Sequence, residues 1–332
     1  MGSSYKYVVV FLAYFIVDGL SYQPTQNEFK NVGFKVPNFD ASADCDLIKH
    51  ALHSGELSTI VNILTHRLYD QRIEIAHMYK TKYGKFLKEE FASHDLLVAL
   101  VVPTPLFYAM ELHKAIIGVG TNEKVLIQIL CTLNNKDMLS VINAYESEFH
   151  HKLMDDVKGD TSGDFKNLMV AILHANRDES GVVNKAHAAT DALHLHKAGL
   201  DRIGTDESVF YEILGTRNYN QLRLICDEYK HLSGHDLEYA IEKEFSGHAE
   251  TGLLTILAAA KNLPGYFAEQ LHHCISATDK NEQLVTIIVP RSKPDMGYIK
   301  QEYSKVYHKN LEFDIAENTE GFFKEGILNL LH

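Results

Sequence analysis

Two stretches of this chain pair a glycine-rich loop with a distant acid. Ile116-Ile117-Gly118-Val119-Gly120-Thr121 is followed by Asp160 in the run GDTSGD, and Gly199-Leu200-Asp201-Arg202-Ile203-Gly204-Thr205 by Glu244 in EFSG. Glycine permits left-handed backbone and lets carbonyl oxygens turn toward one point. Carbonyls with one carboxylate make an all-oxygen donor set, which suits a hard cation. Calcium tolerates the irregular geometry, whereas magnesium demands a strict octahedron. Three carbonyls and a bidentate carboxylate leave about two positions open for water or an outside ligand. One carboxylate also leaves a divalent ion with an excess of positive charge, so a lipid phosphate oxygen is a natural occupant. Val119 and Ile203 lie between the ligand positions and are expected to project outward, into the lipid interface once the ion docks. The plainer alternative is that Asp160 and Glu244 cap helices.

Other chemistries have weaker footing. There is no HExxH, no nucleophile elbow in Ser-His-Asp order, no P-loop and no GxGxxG after a strand. No enzyme is expected, and no catalytic residue is assigned. His194 and His196 form an HxH pair, but spacing of two does not align side chains on a helix. Cys45, Cys131, Cys226 and Cys274 lie far apart and read as free, packed thiols. The 332 residues carry 44 acids against 32 Lys and Arg, a formal charge of −12. That balance disfavours nucleic acid and unaided contact with anionic lipid. A cation between the protein and phosphates removes the conflict.

The elements that position the loops come from a repeat. Leu64–Tyr79, Leu130–Tyr145, Leu214–Tyr229 and Ile288–Tyr303 each run from an aliphatic residue to a tyrosine fifteen positions on. Eight residues after each tyrosine stands a leucine (Leu87, Leu153, Leu237, Leu311), and twelve after it Phe91, Val157, Ile241 or Ile315. The tyrosines are 66, 84 and 74 residues apart, which gives units of about 70 residues with extra length between the second and third. Apolar spacing is helical, as in Leu126, Ile129 and Leu130, and no strand alternation appears. Thr121, Thr205, Thr161 and Ser162 read as helix caps, and Pro264 as a helix stop.

The expected architecture is all-α, with about five short helices per unit. The proposed divisions are a tail at 1–36, units at 37–105 and 106–178, a linker at 179–190, and units at 191–264 and 265–332. Val8–Val17 is an apolar run too short to cross a bilayer. It resembles the core of a secretory signal over residues 1–19, or a tail that packs on the body or binds a protein partner.

The two outer units lack the loop equipment. Unit one reads Ala51-Leu52-His53-Ser54-Gly55-Glu56, about two residues too short, and has His94 where the acid belongs. Unit four reads Cys274-Ile275-Ser276-Ala277-Thr278-Asp279 and has Asn318 there, with Glu317 and Glu320 as weak substitutes.

From about Pro37 onward the chain resembles an annexin. The resemblance rests on the GVGT loop with KGDTSG at 158–163, on RIGTDE at 202–207 with EFSG, and on LGTR at 214–217. It implies four five-helix repeats in a curved disc that attaches to acidic phospholipid through calcium. It implies ligands from the carbonyls of Ile116, Gly118 and Gly120 with Asp160, and from those of Gly199, Arg202 and Gly204 with Glu244. It also implies secondary low-affinity sites at Thr121 with Glu123 and at Thr205 with Glu207. Calcium is thus the expected cofactor and an anionic membrane the expected partner. The expected location is the cytoplasm and its membrane surfaces, or outside the cell if the tail is a signal. A helical protein-interaction scaffold with vestigial metal sites is the alternative. Of the positions matching a proposed ion channel in the family, Glu111 is charged, but Tyr108, Gln128, Leu133 and Thr286 are not, so that activity is not expected.

Overall fold

The computed structural model describes residues 39–118, 120–277 and 280–331. The Val8–Val17 run, the connector to Val36, Val119, Thr278 and Asp279 lie outside the described residues. Among the described residues there are helices and no strand, and no helix is long and apolar enough to cross a membrane.

The helices fall into four groups. The first holds α1 (Ala41–Ser54), α2 (Leu57–Thr65), α3 (Tyr69–Tyr83), α4 (Leu87–Glu90) and α5 (Asp95–Val101). The second holds α6 (Thr104–Ile117), α7 (Glu123–Leu130), α8 (Asn135–Phe149), α9 (Leu153–Asp160) and α10 (Gly163–Leu173). The third begins with α11 (Lys185–Ala198), α12 (Glu207–Thr216), α13 (Tyr219–Ser233) and α14 (Leu237–Glu244). Element α15 (Gly247–Ile275) completes it and runs on into the fourth group, with α16 (Lys280–Arg291), α17 (Met296–Tyr307), α18 (Leu311–Asn318) and α19 (Gly321–Leu330).

Within α15, Asn262 takes φ −159° and ψ 85°, so two helices abut there. Its Oδ1 accepts a bond from the Gly265 N–H at 3.0 Å and caps the second helix. Pro264 then sits in a first turn, where its missing N–H is no loss. The proline therefore opens a helix, and the stop expected of it is made by Asn262. With α15 counted as two, each group has five helices.

The repeat register is the core. Tyr79, Tyr145, Tyr229 and Tyr303 are all fully buried, as are the residues eight and twelve positions beyond each. A buried phenol needs a partner for its hydroxyl. Tyr145 donates to Asp156 and Tyr303 to Asp314, both at 2.7 Å, and Tyr79 to Glu90 at 3.4 Å. In the third group Ala240 occupies the acid's position, and the Tyr229 hydroxyl has no hydrogen-bond partner among the described residues.

The groups pack in pairs. Helices α10 and α7 lie on α15, and α10 on α12, joining groups two and three. Helices α2 and α5 lie on α19 and α16, joining groups one and four. Each seam seats a leucine on a glycine. A Cβ on Gly252 would come within 2.7 Å of Leu168 Cδ2, and one on Gly326 within 2.7 Å of Leu96 Cδ2.

Where α6 meets α16, Glu111 is buried and accepts a bond from the Thr286 hydroxyl at 3.4 Å. Lys114 pairs with Glu282 alongside, at 2.9 Å. Burial, with Glu282 and Asp95 nearby, pushes the Glu111 carboxyl up to about 7, and Lys114 opposes the shift. Between its ordinary 4.5 and about 7 the folded chain holds this proton more tightly than the unfolded chain, so stability falls as pH rises through that window.

Two outcomes are expected in thermal unfolding. Tyr303→Phe loses a bond to a carboxylate and should destabilise by about 1–2 kcal/mol, while Tyr229→Phe should leave the midpoint nearly unchanged. Equal losses in both variants would refute this account of the tyrosines. Glu111→Gln should raise the midpoint at about pH 8, and the gain should vanish by about pH 5. Parallel pH profiles for variant and wild type would contradict the buried-acid assignment.

Candidate metal centre

Asp160 is the last residue of α9, and Glu244 the last of α14. After each, the chain turns extended, with φ and ψ of −112° and 163° at Thr161 and −118° and 165° at Phe245. A helix C-terminus carries a partial negative charge, so a carboxylate there is destabilised unless a cation or donor faces it. Neither acid forms an ion pair with Lys or Arg among the described residues.

The donor that does reach them comes from the glycine loop. Thr121 Oγ1 donates to Asp160 Oδ2 at 2.5 Å, with the Asp160 carbonyl 3.0 Å away. Thr205 Oγ1 donates to Glu244 Oε2 at 2.5 Å. Both contacts link residues 39 apart in sequence. Thr121 and Thr205 were expected to cap the next helices. The N-cap positions fall one residue later, at Asn122 and Asp206, neither of whose side chains makes a capping bond, while the threonine hydroxyls are committed to the acids.

The loops bend where glycine allows it. Gly120 has φ +87° and Gly204 φ +78°. A Cβ on Gly118 would lie 3.5 Å from the Gly120 carbonyl oxygen and 3.9 Å from that of Lys114, so main-chain oxygens crowd this point. A Cβ on Gly199 would meet Glu244 Cγ at 3.2 Å, so any side chain there would press on the acid. Each loop closes on its first helix: Asn122 N–H to Ala115 O at 2.9 Å, and Asp206 N–H to Ala198 O at 2.8 Å. Main-chain oxygens with one carboxylate are an all-oxygen donor set, the chemistry that a hard cation takes. Among the described residues no group of three His, Cys, Asp or Glu could hold a metal instead. His194 is exposed, while His196 turns inward, its ring 6.0 Å from that of Tyr229.

The remaining residues singled out from sequence are distributed around these points. Ile116 is buried and Arg202 exposed, its guanidinium 3.9 Å from Asp206. Ile203 is fully exposed at the loop tip, while Val119 lies outside the described residues. Glu123 opens α7, 3.6 Å from His248, and Glu207 opens α12. Ile117 was not singled out from the sequence, yet it is 66% exposed beside Gly118.

The outer groups differ in backbone length. Glu56 N–H closes on Ala51 O at 2.9 Å, a span of five residues against seven from Ala115 to Asn122. Helix α4 has only four residues, and His94 stands at the N-cap position of α5, without a side-chain capping bond, instead of ending a helix. In group four Asn318 ends α18, but its Nδ2 donates back to Asp314 O at 2.8 Å.

An annexin family model matches residues 107–172, 190–256 and 266–330. The chain is 39% identical over 303 residues to annexin A7 of Macaca fascicularis, covering 89% of this chain and 62% of that relative. It therefore spans less than two thirds of that protein's length. Among solved structures, annexin III superposes with a TM-score of 0.85 at 37% identity, over 89% of this chain and 94% of that one. A structure titled calcium-bound annexin (Sm)1 superposes with a TM-score of 0.75 at 28% identity, over 88% and 90%.

Proposed function

The chain belongs to the annexin family, and on that premise we propose that it binds anionic phospholipid membranes in a calcium-dependent way, through ions held in groups two and three. The observation that carries this reading is the pair of carboxylates at helix C-termini, each tied by a threonine hydroxyl to a glycine loop. In group two the ligands are the carbonyls of Ile116, Gly118 and Gly120 with Asp160. In group three they are the carbonyls of Gly199, Arg202 and Gly204 with Glu244. The secondary positions at Glu123 and Glu207 belong to the same reading.

Calcium supplies the positive charge that couples an acidic protein to acidic headgroups. The protein contributes the rest. Its loops fix the carbonyls, its threonines aim the acids, and Ile117, Val119 and Ile203 offer apolar contacts to the lipid. Lipid phosphate completes the ion's shell, so each ligand raises affinity for the other. A second attachment is intramolecular once the first has formed.

Sedimentation with anionic vesicles should require calcium and reverse with chelator. Asp160→Ala with Glu244→Ala should abolish it, and undiminished sedimentation of the double variant would rule out these sites. Thr121→Val with Thr205→Val should raise the calcium midpoint about tenfold, and serine at both positions should restore it. A valine pair that matches wild type would show that the hydroxyls do not aim the acids.

A further inference from the structure

Beside Asp160 runs a groove of about 370 Å³, lined by Ile117, Phe149, His151, Asp155 and Asp156 among others. Asp156 and Asp160 lie one helical turn apart on α9, so they share a side of the helix. Asp156 Oδ2 is taken by the Tyr145 hydroxyl. Its other oxygen, Oδ1, faces His151 Nδ1 at 3.4 Å.

The other groups show what this carboxylate ordinarily meets. Five residues before the acid, group one has Lys85, whose Nζ is 2.8 Å from Glu90 Oε1. Group four has Lys309, whose Nζ is 3.1 Å from Asp314 Oδ1. Both groups thus supply a primary ammonium from their own chain. Group two has His151 at that position, and an imidazole carries no permanent charge. Among the described residues no Lys or Arg pairs with Asp155 or Asp156. Group three has Ala240 and no carboxylate to neutralise.

We propose that group two takes this ammonium from outside: the amino group of an ethanolamine or serine phospholipid headgroup, bound at Asp156 while its phosphate sits on the calcium at Asp160. The inference rests on the calcium reading above. One helical turn is about 5.4 Å, and a two-carbon spacer between phosphate and amine covers a comparable span. Ile117 and Phe149 give the spacer an apolar wall, with the Phe149 ring held by His113 stacked at 3.7 Å. A choline headgroup has no N–H to donate and fits this position poorly.

The test uses full-length protein and vesicles with a fixed phosphatidylglycerol fraction. The remaining lipid is either phosphatidylcholine or phosphatidylethanolamine, and the readout is the ratio of the two calcium midpoints within each variant. Wild type should need about threefold less calcium on the ethanolamine vesicles. His151→Lys, at a side chain 68% exposed, installs the lysine of groups one and four and should bring that ratio close to one. His235→Lys makes the same charge change at the matching position of group three and should keep the wild-type ratio. A ratio that is the same in wild type and His151→Lys would overturn the ammonium site while leaving calcium binding intact. Failure of wild type to sediment on either vesicle with calcium would overturn the calcium reading and this inference with it.

Discussion

A carboxylate at the C-terminal end of a helix sits against the negative end of the helix dipole. Asp160 and Glu244 both end helices this way, and each is joined by a threonine hydroxyl to a glycine-containing loop. In the proposed reading, negative helix end, loop carbonyls and carboxylate together make a point whose energy a cation would lower. The threonine hydroxyls partly offset the charge of the bare site, since each donates a hydrogen bond to the acid. They also fix its direction. A hydroxyl is a weak enough partner to yield one carboxylate oxygen to an ion while the loop keeps its shape.

The outer groups satisfy the same charges internally. Group one shortens both the loop and its fourth helix, so α4 ends on Glu90, the acid under Tyr79, and His94 stands where Asp160 and Glu244 stand in the middle groups. Group four keeps the helix but ends it with Asn318, whose amide bonds back to its own turn. In these two groups a lysine also neutralises the acid beneath the repeat tyrosine. Groups one and four therefore meet the acid beneath the tyrosine with a lysine, whereas in group two Asp156 meets only the Tyr145 hydroxyl and the His151 imidazole. Group three is open at the ion site, with Ala240 removing the second acid. One helical scaffold thus holds different charge states without changing its core.

Much of this was legible in the sequence because the tyrosine register is a packing constraint. Tyr79, Tyr145, Tyr229 and Tyr303 recur since each fills the centre of its group, and the leucines eight residues on pack with them. The acid at Asp160 was found only through that register, because 39 residues separate it from its loop partner. What stayed hidden depended on where side chains turn. Thr121 looked like a cap because threonine before a charged stretch commonly is one, and nothing local shows that its hydroxyl is engaged elsewhere. Ile117 was not singled out, because nothing in the sequence marks an aliphatic residue at the last position of a helix as exposed. Pro264 looked like a stop because the capping role of Asn262 is invisible until Gly265 is seen bonding to it.

The pairing of groups bears on how two ions act together. Groups two and three meet along a seam where Leu168 fills the space that a side chain on Gly252 would need. Such a contact leaves little room for sliding, because interiors are packed at crystal-like density. The two loops are therefore held at a set separation, not joined by a slack tether. A rigid span makes the second lipid contact far more effective than an independent one, provided that headgroups are available at that spacing. In a fluid bilayer they are, since lipids diffuse to the protein. On the proposed reading, the acidic chain would meet an acidic surface at two charged points whose geometry is fixed by apolar packing, while mobility is left to the membrane.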